Sequence, residues 1–273
     1  MNQQNRTYNH EEKEKEWERL TRQFDRDWKW EKPALADLGI IPGSFDKILV
    51  YGCGVGRDAF TFYDEGYGKY VEGWDIDKEA IGEATRRYAT DNLVFHHLSQ
   101  ENIDSVKGAK FDVIVLRLVL LHIPTRYIHD VLSTCKEHLV NGGLLVIHDT
   151  NKPDYHVFPP DHPFVPLSNT ISDYVIANDC SPRMGIEAEQ YLNNVGLNVI
   201  GSKTIHYTMN HTEACDEMLF VTHLNNSVHK ELIFLMKQLY DEARKAGRQD
   251  FAYTSTRIIT VARSTNKFES INS

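Results

Sequence analysis

Between residues 47 and 150 five short apolar runs alternate with stretches of helical period, and this alternation limits the fold more than any other feature. The runs are KILVYG at 47–52, YVEGWDI at 70–76, NLVFHH at 92–97, FDVIVLR at 111–117 and LLVIHDT at 144–150. Helical stretches follow the first through about residue 66, the second at 78–88 and the fourth at 125–139. Parallel neighbours need a long crossover, and a helix supplies it. Helices on both faces then bury the strands, which explains why the runs are apolar rather than alternating. The expected class is α/β, a doubly wound and mostly parallel sheet. Two further strands, LNVIGSKTIHY at 197–207 and STRIITVAR at 255–263, bring the expected number to seven.

The remaining segments read as attachments to this sheet. Residues 1–30 carry a helical stripe of Trp17, Leu20, Phe24 and Trp28, which suggests a lid helix, and KPALADLGIIPG then gives a short helix and a turn. Residues 40–150 form the core. Residues 151–183 are rich in Pro, His and aromatics with little periodicity, and a loop of that length in a compact domain is usually functional or mobile. A helix is expected at 184–194, and two more within 212–246. The segments 151–183 and 209–250 thus read as insertions in a single domain spanning 1–273, and the resemblance described below implies that they form a substrate cap.

Composition excludes several classes. No apolar run reaches 18 residues, so no span is expected, and the polar N-terminus is not a secretory signal. Cys53, Cys135, Cys180 and Cys215 are scattered without a CxxC pair, which suits reduced thiols of a cytoplasmic protein. A net charge of −9 without a Lys/Arg block disfavours a nucleic-acid partner. The expected partner is a small molecule; the sequence leaves oligomeric state open.

ILVYGCGVGRDAF, at 48–60, holds the clearest site signal. Gly52, Gly54 and Gly56 stand where the first strand turns into a helix. Missing Cβ atoms permit a sharp turn and close approach of a ligand to the backbone, and the helix N-terminus adds free N–H groups. Arg57 occupies the position where a dinucleotide fingerprint needs its third glycine, so the fit to NAD is poor. Asp75 ends the second strand, placed to accept ribose hydroxyls. Asp77 is the better cap for the next helix, which frees Asp75 for a ligand.

With these pieces the chain resembles the class I S-adenosylmethionine-dependent methyltransferases, in the small-molecule branch. ILVYGCGVG, VEGWDIDKEAI, FDVIVLRLVLLHIP and CKEHLVNGGLLVIHD occur in family order at family-like spacings, and YNHEEKEKEWERLTRQ and RMGIEAEQYLNNVGL extend the match more weakly. The resemblance implies the Rossmann-like methyltransferase fold with an antiparallel last strand, and S-adenosyl-L-methionine as cofactor. It places Gly52, Cys53, Gly54 and Gly56 under the methionine part, Asp75 on the ribose and Ile76 on the adenine. Ser99 and Gln100 would lie at the adenine edge, Arg117 and Leu118 at the methionine end, and Tyr8 and Gln23 in the lid. Two positions depart from the family: Val50 stands where an acidic residue usually precedes the glycines, and Ser99 where Asp is common.

The implied chemistry is in-line methyl transfer to an O or N atom of a small molecule, without a metal. The carboxylates of metal-dependent relatives are absent after the fourth strand, where Arg117 stands. A base helps when the acceptor is a phenol, hydroxyl or ammonium. The candidates are His122, Tyr155, His156 and His162, and each can equally be a packing residue. His148 and Asp149 end the fifth strand and point to opposite faces, so at most one faces a site. Two rivals share the cofactor: cyclisation or cleavage of S-adenosylmethionine, and a binding module without turnover.

Overall fold

A computed structural model of the chain describes residues 10–99, 106–224, 228–247 and 250–264. The elements run α1 (His10–Asp37), β1 (Phe45–Tyr51), α2 (Arg57–Asp64), β2 (Gly68–Asp75), α3 (Lys78–Tyr88), β3 (Leu93–His97), β4 (Phe111–Arg117) and α4 (Thr125–His138). They continue with β5 (Leu139–Thr150), β6 (His156–Phe158), α5 (Phe164–Ala177), α6 (Met184–Asn194), β7 (Asn198–Met209), α7 (His211–Met218), α8 (Phe220–His223), α9 (Lys230–Lys245) and β8 (Ala252–Arg263).

The sheet runs β3-β2-β1-β4-β5-β8-β6, with β7 also paired to β8. β1 to β5 are parallel, and β8 lies antiparallel to β5, β6 and β7. Among the described residues it therefore has eight strands, one more than expected. The extra strand, β6, has three residues and lies within the segment expected to be irregular. Strand order reverses between β1 and β4, and the crevice outside such a reversal is where doubly wound sheets bind ligands.

Alternate residues of the parallel strands feed two cores, as a sheet covered on both faces requires. Ile48, Val50, Val113, Val115 and Val146 pack with Leu35 of α1 and Phe62 of α2. Leu49, Ile114, Leu116, Leu145 and Ile147 pack with Ile128 and Leu132 of α4 and with Met184 and Leu192 of α6. Each such aliphatic side chain contributes about 1.5–3 kcal/mol by leaving water. A third cluster, which includes Phe164, Leu167, Met218, Met236 and Tyr253, holds the cap together.

Three expectations need correction. α1 does not stop near residue 29; it continues through Pro33 to Asp37. Proline removes one helical hydrogen bond, but contacts on both sides of it hold the helix to the sheet: Trp28 meets Phe62 and Tyr67 edge-on, and Leu35 is buried. The 151–183 segment is not a loop, since α5 supplies 14 of its residues. Phe164, Leu167 and Ile171 are its buried stripe, at spacings of three and four. The cap segment after β7 carries three helices, α7, α8 and α9, rather than two.

Candidate active site

The glycine turn sits at the carboxyl edge of the sheet, with φ of +73° at Gly52, +52° at Gly54 and +78° at Gly56. The three glycines are needed for two different reasons, and a Cβ on Gly52 would meet the Val119 side chain at 2.6 Å. A Cβ on Gly56 would meet the Phe95 ring at 2.6 Å, so that position is closed by packing. A Cβ on Gly54 would meet nothing within 4 Å. Gly54 therefore faces open space with a bare backbone, which is the arrangement a cradle for a ligand needs.

Asp75 is joined to this turn. Its Oδ2 accepts the Gly54 N–H at 2.8 Å and its Oδ1 accepts the Asp77 N–H at 2.8 Å. Burial raises its pKa, and the backbone N–H groups of Asp77 and Gly54 oppose the rise. Asp77 caps α3 through the Glu79 and Ala80 N–H groups, which leaves Asp75 to the turn. Ile76, beside it, is 55% exposed, an uncovered apolar side chain at the edge of the crevice. The Cys53 side chain is buried in the core, so only its backbone faces the turn. Val50 is fully buried among apolar neighbours. A different acid lies near by: Asp58, in the first turn of α2, whose pKa burial lifts to about 6 against the pull of Arg117.

Leu118 follows β4 with φ +55°, an uncommon left-handed conformation for a branched residue. Its N–H donates to the His148 carbonyl at 2.8 Å, so the ends of β4 and β5 are locked together. Backbone strain of this kind collects at functional sites. Ser99 lies just beyond β3 and is half-buried. Tyr8 and Gln100 lie outside the described residues.

Two assigned side chains are held by partners within the protein. Arg117 holds Glu31 of α1 in a two-pronged pair, at 2.9 and 2.7 Å. Gln23 donates to Glu217 of α7 at 2.9 Å and accepts from Arg19, so it ties the lid helix to the cap. Both, expected against a cofactor, form part of an internal charge network.

That network is the largest feature which sequence reasoning missed. Arg257 of β8 reaches Asp27 at 2.6 Å, Glu217 at 3.3 Å and Glu31 at 3.5 Å, and lies over the Tyr207 ring. Arg26 reaches Asp27 at 2.8 Å and Glu217 at 2.7 Å. The Tyr207 hydroxyl donates to Glu31, and His148 Nδ1 lies 3.4 Å from Glu31 Oε2. Burial alone would raise the Glu31 pKa; the charge of Arg117, then His148, holds it well below the usual range. Glu217 is likewise brought to about 2, where Arg257, Arg26 and Arg19 outweigh its burial. Burial lowers His148, with Glu31 partly offsetting it. A sequence signal existed: Arg257 stands in the strand-like stretch STRIITVAR, and Asp27 and Glu31 stand four apart beside the Phe24 and Trp28 stripe.

The four candidate bases do not converge. His122 is exposed in a short 3-10 helix after β4. Tyr155 and His156 line a pocket of about 290 Å³ on the cap, together with Lys152, Ser168, Asn169 and Ser172. His162 is buried in the cap, its ring 4.7 to 5.6 Å from those of Phe251, Phe164 and His211, so it serves packing there. Asp149, on the sheet face opposite His148, accepts the Leu121 N–H at 3.1 Å, and burial raises it to about 7. Among the described residues no group of three or more His, Cys, Asp and Glu side chains is placed to hold a metal ion, and no helix is long and apolar enough to cross a membrane.

A mostly parallel sheet with an open glycine turn at its switch point defines a doubly wound α/β protein. Within that class, residues 49–145 match the family model described as a methyltransferase domain. Residues 49–145 thus carry a methyltransferase domain, set within a doubly wound sheet. Solved structures agree on the architecture. A protein assigned as a methyltransferase in Bacillus halodurans is 16% identical with a TM-score of 0.55, over 85% of this chain and 97% of that one. The cyclopropane synthase of Mycobacterium tuberculosis is 16% identical with a TM-score of 0.52, over 84% and 81%. Geranyl diphosphate C-methyltransferase of Streptomyces coelicolor, determined with Mg2+, geranyl-S-thiolodiphosphate and S-adenosyl-L-homocysteine, is 14% identical with a TM-score of 0.50, over 86% and 74%. At such identities the likeness is one of fold. No curated protein sequence matches the chain.

Proposed function

We propose that this protein transfers a methyl group from S-adenosyl-L-methionine to an O or N atom of a small molecule, by in-line displacement and without a metal, in the cytoplasm. The observation that carries the reading is the glycine turn joined to Asp75: an open, bare backbone at Gly54, with a carboxylate bonded to it at the end of β2. The residues fit the group. Gly52, Gly54 and Gly56 would cradle the methionine part, Asp75 would take the ribose hydroxyls, Ile76 would cover the adenine, and Leu118 would border the methionine end. When bound, S-adenosylmethionine supplies an activated methyl and its own leaving group. The protein then has to position the acceptor, exclude water and take up a proton. The cap and α1 suit the exclusion of water, because Arg22–Asp216 and Arg26–Glu217 pairs hold them together.

The test is calorimetry with S-adenosylmethionine and, separately, NADH, followed by incubation with a small-molecule metabolite extract and mass spectrometry of nucleoside and acceptor products. Binding of S-adenosylmethionine with formation of S-adenosylhomocysteine and a methylated acceptor supports the reading. Methylthioadenosine as product assigns cyclisation or cleavage instead. Binding of NADH alone overturns the assignment.

A further inference from the structure

The cavity of about 290 Å³ on the cap has no part in the methyl-transfer reading. Short pieces of neighbouring chain build it. The 3-10 turn Lys152–Asp154 brings Lys152, Tyr155 follows it, β6 adds His156 and Val157, and α5 closes the far side. α5 presents Val165, Ser168, Asn169 and Ser172, whose spacing puts them on one helix face over two turns. That face lies beside the buried stripe of Phe164, Leu167 and Ile171, so packing takes the apolar side of α5 and leaves a largely polar side to the cavity. Tyr253 of β8 backs the cavity. It is fully buried, pairs with Val157, stands edge-on to Tyr155 at 5.5 Å and places its hydroxyl 3.4 Å from Ser168 Oγ. The walls are thus fixed by the same packing that holds the cap together.

The polar groups of the lining are open to a guest. The Lys152 ammonium lies 5.2 Å from the centre of the Tyr155 ring and meets no carboxylate among the described residues. Asp154, the nearest acid in the chain, is held by the Asn151 amide. No acidic side chain lines the cavity. Asn169 is exposed, so its amide is free to turn to a ligand. Ser172 donates its hydroxyl proton to the Ser168 carbonyl at 3.1 Å, which leaves its oxygen able to accept. In a chain of net charge −9, a lysine in an acid-free cavity makes a local positive site that favours a negative guest.

We infer that this cavity is a second binding site, one that takes a small hydroxylated carboxylic acid with its carboxylate on Lys152 and its hydroxyls among Ser168, Asn169 and Ser172. The size agrees, since ligand pockets run from about 300 to 1,000 Å³ and this one lies at the lower end. A single lysine supplies a single charge, which suits a carboxylate better than a doubly charged phosphate. The inference stands apart from methyl transfer, because no residue of the glycine turn, of β1 to β5 or of α1 lines the cavity. A guest here bridges α5 and the segment that follows β5, so it acts on the cap as an auxiliary ligand and not as the methyl acceptor.

The test uses the full chain without cofactor. Calorimetry is run with glycerate, quinate and gluconate, with glucose as the neutral control and inorganic phosphate as the bare anion. At least one of the three acids should bind with a dissociation constant on the order of 1 mM or tighter, and glucose and phosphate should bind much more weakly. Lys152→Gln should weaken the acid roughly 10- to 150-fold, the range for a charged hydrogen bond. Asn169→Ala puts a better helix former at an exposed position, so the fold should hold while the acid binds several-fold more weakly. Amide NMR should show shifts within residues 152–172 and none at Gly52, Gly54 and Gly56. Absence of binding by all three acids, equal binding by wild type and Lys152→Gln, or shifts centred on the glycine turn overturns the inference. Glucose or phosphate binding as tightly as the acids overturns the ligand class. None of these outcomes touches methyl transfer, which is read from its own products.

Discussion

At the scale of single residues, the two kinds of glycine in one turn make separable predictions. Gly54→Ala places a methyl in open space at φ +52°, so folding should lose about 1–2 kcal/mol from the left-handed backbone alone. Cofactor affinity should fall by far more, because the methyl occupies the cradle; calorimetry beside thermal melts separates the two. Gly56→Ala should behave oppositely and cost folding first, since its methyl meets Phe95 and Ala84 at under 3 Å. Asp75→Ala should weaken S-adenosylmethionine binding by about 1.5–3 kcal/mol, the range for a charged hydrogen bond, or roughly 10- to 150-fold. Unchanged affinity in both Gly54→Ala and Asp75→Ala removes the turn from the cofactor site.

At the scale of elements, α1 is lid and buttress together, and the division falls near Asp27. Beyond it, Trp28, Leu35 and the Glu31 pairs pack on the sheet. Before it, Arg19, Arg22, Gln23 and Arg26 reach across to α7. Removal of residues 1–26 should therefore leave a folded sheet by circular dichroism, with weaker cofactor binding and a lower melting temperature. Arg26→Ala alone should cost about 1–3 kcal/mol, because Glu217 loses one charged partner and keeps Arg257, Gln23 and the charge of Arg19. Loss of the fold on truncation would make the whole helix structural. The same helix shows what was legible in the sequence. Strands β1 to β5 were readable because apolar runs and turn glycines are local signals, and the Asp77 cap for the same reason. The glycine turn and Asp75 followed from the strand ends. The pairings of the charge network were not readable, because Asp27, Arg117, Glu217 and Arg257 lie far apart in the chain and only the fold makes them partners. α5 was obscured by its Pro, Ser and Asn content, which hides a stripe set by Phe164, Leu167 and Ile171. The end of α1 was missed because Pro33 is a local stop that tertiary packing overrides.

At the scale of the whole molecule, buried carboxylates of two opposite kinds should give stability a maximum in mildly acidic solution. Glu31 and Glu217 are held below the usual range by arginines. Their contribution is complete above an unfolded glutamate pKa of about 4.3 and fades as pH falls toward the folded values. Asp58 and Asp149 are lifted by burial, to about 6 and about 7. The native state therefore binds their protons more tightly than the unfolded chain, whose aspartates titrate near 3.9. Stability from this source is complete below that value and is lost as pH rises through 6 and 7. The two slopes meet between about pH 4 and 6. Thermal melts should thus rise from pH 8 to about pH 5 and decline below pH 4. Asp149→Asn removes the stronger lift while an amide oxygen can still accept the Leu121 N–H, so it should raise the melting temperature at pH 8 and flatten the alkaline slope. A melting temperature that climbs steadily from pH 5 to pH 8, with Asp149→Asn no more stable than wild type at pH 8, would show that Asp149 is ionised in the fold at little cost.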